Sequence, residues 1–175
     1  MLPGNPYSFA ELKNKFMNKI LEINEAVKLA QKFRKQNKTI VVVGGVFDIL
    51  HYGHIKFLKN AKKIGDFLFL LLEDDTKARK EKGKNRPINS QKDRAKILSS
   101  LESVDYIILL KDMTSNLEYD KIMVQIKPAI IATTYGDPYI MHKKRQAELI
   151  NGVVKYVIPR IYNHSTSKYI KLITK

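Results

Sequence analysis

The sequence predicts an α/β fold, a doubly wound parallel sheet of about five strands preceded by an extra helical segment. Short apolar runs alternate along the chain with stretches whose apolar residues recur every three or four positions, which indicates alternating strands and helices. The run Phe67–Leu72 is apolar throughout, as in a strand buried on both faces. Strands separated by helices pair in parallel, and such sheets bind ligands beyond the carboxyl ends of the strands, at a topological switch point.

The chain begins with a helical pattern from Ser8 to Gln36. Ser8, followed three residues later by Glu11, resembles a capping box. The apolar residues of the pattern are Leu12, Phe16, Ile20, Ile23, Ala26, Val27, Ala30 and Phe33. We therefore expect a helical extension over residues 1–37, frayed over residues 1–7, and one α/β domain over residues 38–175.

The first strand is predicted at about Thr39–Val46, because β-branched residues dominate it. The helix after it has one apolar stripe through Ile55, Leu58, Ala61 and Ile64, and it ends near Gly65. Similar patterns predict strands at 67–72, 104–110, 129–133 and 153–158, and helices at 91–100, 117–125, 139–150 and 165–173. Residues 80–89 read as a mobile loop.

Length and composition restrict the function further. A chain of 175 residues fits one domain with an ordinary core. The absence of cysteine excludes disulfides, thiolate metal sites and cysteine nucleophiles, and it fits a reducing cytoplasm. No apolar run approaches the ~20 residues that span a bilayer, and Pro3, Gly4 and Pro6 stand where a signal peptide would be apolar. We expect a cytoplasmic protein without a membrane partner.

The formal net charge of +15 raises the possibility of nucleic-acid binding. Its distribution disfavours that interpretation, since the basic residues are spread over the amino-terminal helix, residues 77–94 and the carboxyl-terminal third, without a nucleic-acid-binding motif. A solvated basic surface and a small polyanionic substrate explain the charge better.

The segment Gly44–His54, GGVFDILHYGH, is the most informative part of the chain. A strand that ends in glycines lets a ligand approach the backbone, and the next helix offers unpaired N–H groups and the positive end of its dipole. His51 and His54 flank Gly53 on one side of the first helical turn, where both can donate hydrogen bonds to phosphate oxygens. The segment therefore predicts a phosphate-handling site.

This segment resembles the signature of the cytidylyltransferase-like nucleotidyltransferase superfamily, Gly-x-Phe-Asp-x-x-His-x-Gly-His. The matching residues are Gly45, Phe47, Asp48, His51, Gly53 and His54. The resemblance implies a Rossmann-like nucleotidyltransferase domain over residues 38–175 and a nucleotide bound at this turn, with Val46 also near it.

A second resemblance lies near the carboxyl terminus. The segment Arg160–Lys168, RIYNHSTSK, is similar to the Arg-x-x-Gly-x-Ser-Thr-Thr-Lys element of glycerol-phosphate cytidylyltransferases. Asn163 replaces the usual glycine, and Asn tolerates positive φ better than most residues. The resemblance implies phosphate binding by Arg160, Ser165, Thr166, Ser167 and Lys168.

The chain as a whole resembles the adenylyltransferase domain of bacterial ADP-heptose synthases over roughly residues 24–173, in Asp74-Asp75, in the stretch Arg86–Arg94 and in Leu101–Tyr106. It departs from that pattern after the fourth predicted strand, where the family carries Lys-Gly-Gly-Asp-Tyr. Here the chain reads Ala132-Thr-Thr-Tyr-Gly-Asp137, without the lysine. The base and the acceptor therefore stay open.

The resemblance implies transfer of a nucleoside monophosphate from a nucleoside triphosphate to a sugar phosphate, with release of pyrophosphate. AMP is the leading expectation for the transferred nucleotide. Mg²⁺ would accompany ATP or CTP, without a metal site built from protein side chains, and Asp48 is a candidate neighbour of the ion. The candidate catalytic residues are His51, His54, Lys56, Lys84 and Arg160. Arg94 is a further nucleotide-binding candidate.

Several alternatives remain open at this point. Asp48 either contacts the ligand or ties the turn through backbone hydrogen bonds, and Arg94 either faces phosphates or pairs with an acidic residue. The rival functions are a cytidylyltransferase acting on glycerol 3-phosphate or another alcohol phosphate, an FAD synthase-like adenylyltransferase, and a noncatalytic nucleotide- or nucleic-acid-binding protein. A homodimer is expected only by analogy with relatives.

Overall fold

A parallel six-stranded sheet organises the part of the chain that the computed structural model describes, residues 19–159, 161 and 166. Its strands are β1 (Ile20–Leu21), β2 (Ile40–Gly45), β3 (Phe67–Leu72), β4 (Tyr106–Leu109), β5 (Ile130–Tyr135) and β6 (Val153–Pro159). The helices are α1 (Ile23–Lys35), α2 (Tyr52–Lys62), α3 (Asp75–Lys82), α4 (Gln91–Ser99), α5 (Asn116–Ile126) and α6 (Ile140–Leu149).

The strand order explains where a ligand can bind. The sheet runs β1-β4-β3-β2-β5-β6, with every described pair parallel. From β2 the chain moves outward on one side through β3 and β4, then returns to the opposite side of β2 as β5 and β6. This reversal opens a crevice beyond the carboxyl ends of β2 and β5, as open α/β sheets do at a switch point. The predicted doubly wound fold is confirmed, and β1 adds a short sixth strand at one edge.

The two faces of the sheet carry separate apolar cores. On one face, α1, α5 and α6 pack against residues such as Phe69 and Leu71. On the other, α2 and α4 pack against Leu68, Leu70 and Leu72. Successive β3 side chains therefore enter opposite cores, because side chains alternate across a strand. The uninterrupted apolar sequence of this strand is the consequence of its double burial.

One helix prediction is wrong at its centre. The continuous pattern over residues 8–36 is interrupted by β1, whose Ile20 and Leu21 lie in register with Ile107 and Ile108 of β4. Pairing at the sheet edge overrides the helical periodicity there. Helix α1 begins only at Ile23, with a capping box between Glu22 and Glu25. The predicted Ser8–Glu11 capping box lies outside the described residues.

A second correction concerns the predicted loop over residues 80–89. Its first residues belong to α3, which the sequence analysis did not predict. Asp74 caps this helix by accepting hydrogen bonds from the Thr76 and Lys77 amides at 3.1 and 2.7 Å. The sequence shows no apolar stripe for this helix, because the helix is short and highly charged and buries one side chain, that of Ala78. The helix predicted at 165–173 lies almost wholly outside the described residues.

Candidate active site

The turn between β2 and α2 forms the floor of the crevice. Helix α2 begins at Tyr52, and His51 is its N-cap, with its Nδ1 accepting a hydrogen bond from the His54 amide at 3.4 Å. The turn before it places Phe47 at φ +48°, a conformation uncommon for a bulky residue. The chain is thereby folded back, and the helix N-terminus faces the crevice that the glycines of β2 also line.

Gly45 is required by its own turn. A Cβ atom at this position would lie 3.0 Å from Cε2 of Phe47, closer than side chains ordinarily pack. The Phe47 ring is buried and packs against the His54 imidazole with 5.1 Å between ring centroids. Gly45 therefore admits the aromatic residue that supports His54, in addition to leaving the backbone open to a ligand.

The two histidines stack on each other. Their ring centroids are 3.8 Å apart and the rings are nearly parallel, at 19°. Burial, and secondarily the charge of His51, lowers the pKa of His54 to about 3, while the Ile49 backbone partly opposes this shift. Within the described part of the chain, His54 Nδ1 is buried without a hydrogen-bond partner. His54 is therefore an uncharged imidazole at neutral pH, suited to hydrogen bonding and not to supplying positive charge.

Asp48 joins the motif to a segment 40 residues away. Its carboxylate accepts hydrogen bonds from the Ile88 and Asn89 amides at 2.8 and 3.1 Å, and from Arg86 Nε at 2.5 Å. Burial would raise the pKa of Asp48, but these hydrogen bonds outweigh it and hold the pKa below its usual value. Of the two alternatives for Asp48, the geometry supports the tie between turn and loop, although the residue also borders the crevice.

Arg94 also ties loops together, and it lies in the protein interior next to the motif turn. Its guanidinium is fully buried, and it donates to the carbonyls of Val46, Asn89 (3.1 Å) and Glu73 (2.9 Å) and to Asp75 Oδ1 (2.7 Å). It does not line the crevice. The structure therefore uses Arg94 to clamp the loops that follow β2 and β3, which is the acid-pairing alternative rather than the phosphate-facing one.

Two adjoining pockets make up the crevice. The larger has a volume of about 580 Å³ and the smaller about 300 Å³. They share residues at the ends of β2 and β5 and on the motif turn, namely Gly44, Gly45, Val46, Phe47, His51, His54, Asp137 and Lys143. Two ligand groups bound side by side would thus meet at the histidines.

The far wall of the larger pocket contains a half-buried acid that sequence reasoning missed. Glu73 follows β3, and Tyr119 of α5 donates a hydrogen bond to its Oε2 at 2.9 Å. Burial raises the pKa of Glu73, and the pKa of Tyr119 is also raised, first by burial and then by the adjacent carboxylate. Asn116 and Gln146 line the same wall. This lobe therefore combines hydrogen-bonding groups with the apolar side chains of Val42, Leu71, Leu110, Met123 and Ile131.

A second cluster that sequence reasoning missed lies at the end of β5. Lys143 Nζ is 3.0 Å from Thr133 Oγ1 and 2.5 Å from Asp137 Oδ2, and Thr133 also donates to Asp137. Burial would raise the pKa of Asp137, but the hydrogen bonds from Lys143 and Thr133 lower it overall. Asp137 is visible in the departure from the family pattern, whereas Lys143 enters the crevice only because α6 folds back over β5.

The structure brings together part of the predicted site. The predicted residues that border the pockets are Gly45, Val46, Phe47, Asp48, His51, Gly53, His54 and Thr166. Thr166 Oγ1 donates to the Ile49 carbonyl at 3.0 Å. Lys56 and Lys84 are exposed and line neither pocket. Arg160, Ser165, Ser167 and Lys168 lie outside the described residues.

Two further observations concern metal-binding groups and membrane spans. Among residues 19–159, 161 and 166, no group of three or more His, Asp or Glu side chains is arranged to hold a metal ion. Over the same residues, no helix combines the length and apolarity needed to cross a membrane.

Comparison with known proteins agrees with this geometry. The chain is 46% identical over 112 residues to the bifunctional protein HldE of Aliarcobacter butzleri, which covers 64% of this chain and 23% of that protein. It therefore spans about a quarter of that relative's length. The chain is also 38% identical over 144 residues to the FAD synthase of Thermococcus sibiricus, covering 81% of this chain and 94% of that enzyme.

A solved structure and a family profile also match the chain. The lipopolysaccharide core biosynthesis protein of Thermoplasma volcanium superposes with a TM-score of 0.58 at 31% identity, over 71% of this chain and 98% of that one. The profile of the cytidylyltransferase-like family matches residues 42–171, which include both the motif turn and the clusters at the ends of β3 and β5. The chain belongs to the cytidylyltransferase-like family of nucleotidyltransferases.

Proposed function

We propose that this nucleotidyltransferase transfers AMP from ATP to the phosphate of a sugar phosphate, as an ADP-heptose synthase-type adenylyltransferase. One observation carries the proposal: the histidine turn borders two joined pockets, and the larger has Glu73, Tyr119 and Asn116 among its lining residues. The arrangement suits a nucleotide in one pocket and a hydroxylated, phosphorylated acceptor in the other.

The reaction needs no protein nucleophile. A phosphate oxygen of the acceptor attacks the α-phosphorus of ATP, a new P–O bond forms, and the bond to the oxygen that bridges the α- and β-phosphorus atoms breaks. Pyrophosphate leaves with that oxygen and its electron pair. Catalysis then consists of holding the reactants in line and stabilising the charge that shifts to the leaving oxygen.

The motif turn supplies the positioning groups. The N-terminus of α2 offers backbone N–H donors to the transferred phosphate, and the stacked rings of His51 and His54 face the same space. His54 acts as an uncharged hydrogen-bonding group, because its pKa lies far below neutral pH. Gly45 keeps the backbone at the end of β2 accessible and Phe47 fixes His54 from below.

The larger pocket offers hydrogen-bonding groups to a sugar. Glu73, Tyr119 and Asn116 place carboxylate, phenol and amide groups on one wall, which match several hydroxyl groups of a sugar. Sugar hydroxyl groups both donate and accept hydrogen bonds, so they can add to the existing bond between Tyr119 and Glu73. Lys77 and Lys82 line the same pocket and can receive the acceptor's phosphate.

A second candidate is an FAD synthase-like reaction, AMP transfer from ATP to the phosphate of FMN. It is favoured by the match over 94% of the length of the FAD synthase of Thermococcus sibiricus. A cytidylyltransferase acting on an alcohol phosphate is a third candidate, which rests on the sequence of residues 160–168.

The substrate nucleotide would arrive as its Mg²⁺ complex. Within the described residues Asp48 is engaged by Arg86 and Asp137 by Lys143, so neither is a ready metal ligand and the ion would be held on the phosphate oxygens. The ion neutralises phosphate charge when bound. A cytoplasmic location and a homodimer remain predictions from composition and analogy.

The test is a matrix of pyrophosphate-release assays with Mg²⁺. ATP, CTP, GTP and UTP are crossed with heptose 1-phosphate, glycerol 3-phosphate, phosphocholine and FMN. Turnover with ATP and heptose 1-phosphate supports the proposal. Turnover with ATP and FMN, or with CTP and glycerol 3-phosphate, replaces it with the corresponding alternative. A folded protein that binds no nucleotide contradicts all three.

A further inference from the structure

We propose that Lys143 binds the phosphate chain of the nucleotide and supplies the positive charge that the motif turn lacks. The proposal rests on the nucleotidyl-transfer function above and assigns a further catalytic residue to it.

The ammonium group of Lys143 is fixed at the switch point of the sheet. The residue lies on the first turns of α6, and its Nζ reaches Thr133 Oγ1 at 3.0 Å at the carboxyl end of β5. Strand β5 pairs directly with β2, whose end carries the motif turn. The side chain is 21% exposed, so the charge is neither buried in the core nor mobile in solvent.

Lys143 also lies where the two pockets meet. It lines both pockets together with His51 and His54, whereas Lys77, Lys82 and Arg86 line only the larger one. Within the described part of the chain it is thus the one lysine or arginine common to both. A triphosphate whose α-phosphorus faces the histidines, with the acceptor beside it, would have to pass this ammonium group.

Among the described residues, the other cationic candidates near the motif turn are uncharged, paired or outside the shared part of the crevice. Negative charge moves onto the leaving oxygen during transfer, and a positioned cation stabilises it. His54 is uncharged at neutral pH, Arg86 pairs with Asp48, and Arg94 is buried beneath the loops. Lys56 and Lys84, the lysines expected from the sequence to act here, line neither pocket.

The partners of Lys143 position it without using all its donors. An ammonium group has three N–H donors. Thr133 and Asp137 accept two of them among the described residues, which leaves a third for a phosphate oxygen. The Tyr139 amide donates to Asp137 at 2.8 Å, so the carboxylate is itself anchored. We therefore assign Asp137 and Thr133 as positioning residues for Lys143.

The experiment compares Lys143→Gln with Lys144→Gln. Lys144 is the next residue on the same helix and is exposed, so its substitution removes the same charge outside the pockets. Binding of Mg·ATP, pyrophosphate and adenosine is measured by calorimetry. Lys143→Gln should weaken binding of ATP and pyrophosphate about 10- to 100-fold, as expected for loss of a hydrogen bond to a charged group. The affinity of Lys143→Gln for adenosine should change less than about twofold. The affinities of Lys144→Gln for all three ligands should also change less than about twofold.

Each outcome separates the two proposals. If the wild-type chain binds ATP and Lys143→Gln binds it equally well, the assignment of Lys143 is wrong while the proposed function stands. Equal losses for adenosine and ATP indicate a structural role and also overturn the assignment. If the wild-type chain binds neither ATP nor pyrophosphate, the proposed function fails and the assignment fails with it.

Chemical labelling of the wild-type chain covers the case in which Lys143→Gln does not fold. Lysines are acetylated with acetic anhydride, with and without saturating Mg·ATP, and quantified by mass spectrometry. Protection of Lys143 by ATP but not by adenosine, with Lys144 unprotected, supports the proposal. Equal acetylation of Lys143 in the presence and absence of bound ATP overturns it.

Discussion

At the scale of single residues, the motif turn combines two kinds of function that its sequence does not distinguish. Gly45, Phe47 and Asp48 shape the turn through packing and hydrogen bonds, while His51 and His54 face the space above it. The histidines are recognisable from their spacing alone. Their protonation is not, because the low pKa of His54 arises from burial and from the neighbouring ring, which only the folded chain brings about.

The first prediction concerns the rate. In the proposed mechanism His54 hydrogen-bonds the transferred phosphate, so replacing it by Ala should reduce kcat for pyrophosphate release by on the order of 10²-fold or more. Lys59→Ala, an exposed change on the same helix, should leave the rate near that of the wild type. The rates are measured with the substrate pair that the assay matrix identifies, alongside thermal unfolding. A folded His54→Ala variant with a normal rate would defeat the mechanism.

The second prediction concerns stability against pH. The pKa of His54 is about 3 in the folded chain and near 6.5 when unfolded, so the unfolded state binds the extra proton between these values. Stability should therefore be fully present above pH 6.5 and fall as the pH drops toward 3. Between pH 7 and pH 5 His54 should account for a loss of about 2 kcal/mol.

This loss is measured by urea unfolding at both pH values. His54→Gln should lack the contribution of about 2 kcal/mol from His54. Its total loss of stability between pH 7 and pH 5 should therefore be smaller than that of the wild type by this amount. His142→Gln removes an exposed histidine and serves as the matched control, with the acid-dependent loss retained. A wild-type and a His54→Gln curve with the same slope over this range would show that His54 is not held neutral by the fold.

At the scale of elements, the loops after β2 and β3 and the segment before α4 are held as one unit. Asp48 accepts hydrogen bonds from residues of the 86–89 segment. Arg94 donates hydrogen bonds to a carbonyl in each of the three segments. The strands could be predicted from composition, because double burial leaves a continuous apolar sequence. These loop contacts could not, since they join residues up to 48 positions apart through single side chains.

The third prediction tests this clamp. Arg94→Met removes a buried guanidinium and leaves the carbonyls of Val46, Asn89 and Glu73 without their donor, which should lower the free energy of unfolding by about 3 kcal/mol. Arg94→Lys should recover only part of this, because an ammonium group cannot reproduce the planar fork. Lys96→Met, an exposed change on the same helix, should cost less than about 0.5 kcal/mol. Urea unfolding of the three variants measures these changes. Equal free energies of unfolding for Arg94→Met and Lys96→Met would show that Arg94 does not hold the loops together.

At the scale of the whole molecule, alternation of strands and helices was enough to predict the parallel sheet and a crevice beyond the carboxyl ends of its strands. It was not enough for the sheet edge, where β1 forms from residues with helical periodicity, or for α3. The candidate site divides in the same way. Residues on the contiguous motif were found from the sequence, whereas Glu73, Tyr119, Asp137 and Lys143 come from four separate elements and meet only through the topology.

The fourth prediction concerns the net charge of +15. A basic surface raises the rate at which a polyanion such as Mg·ATP encounters the site, and salt screens this attraction because the Debye length falls from ~10 Å at 0.1 M to ~3 Å at 1 M. We therefore expect kcat/KM for ATP to fall several-fold between 0.05 and 0.5 M NaCl. The value of kcat should change much less, since the proposed mechanism places the bound phosphates inside the crevice, where salt screens charges less. Steady-state assays over this salt range measure both parameters, with potassium glutamate replacing NaCl as a control for specific chloride binding. If the basic surface instead binds a nucleic acid, duplex DNA or RNA should bind tightly, with an affinity that falls as salt rises. In that case kcat/KM for ATP should not depend on ionic strength, and this result would contradict a role of the surface charge in nucleotide capture.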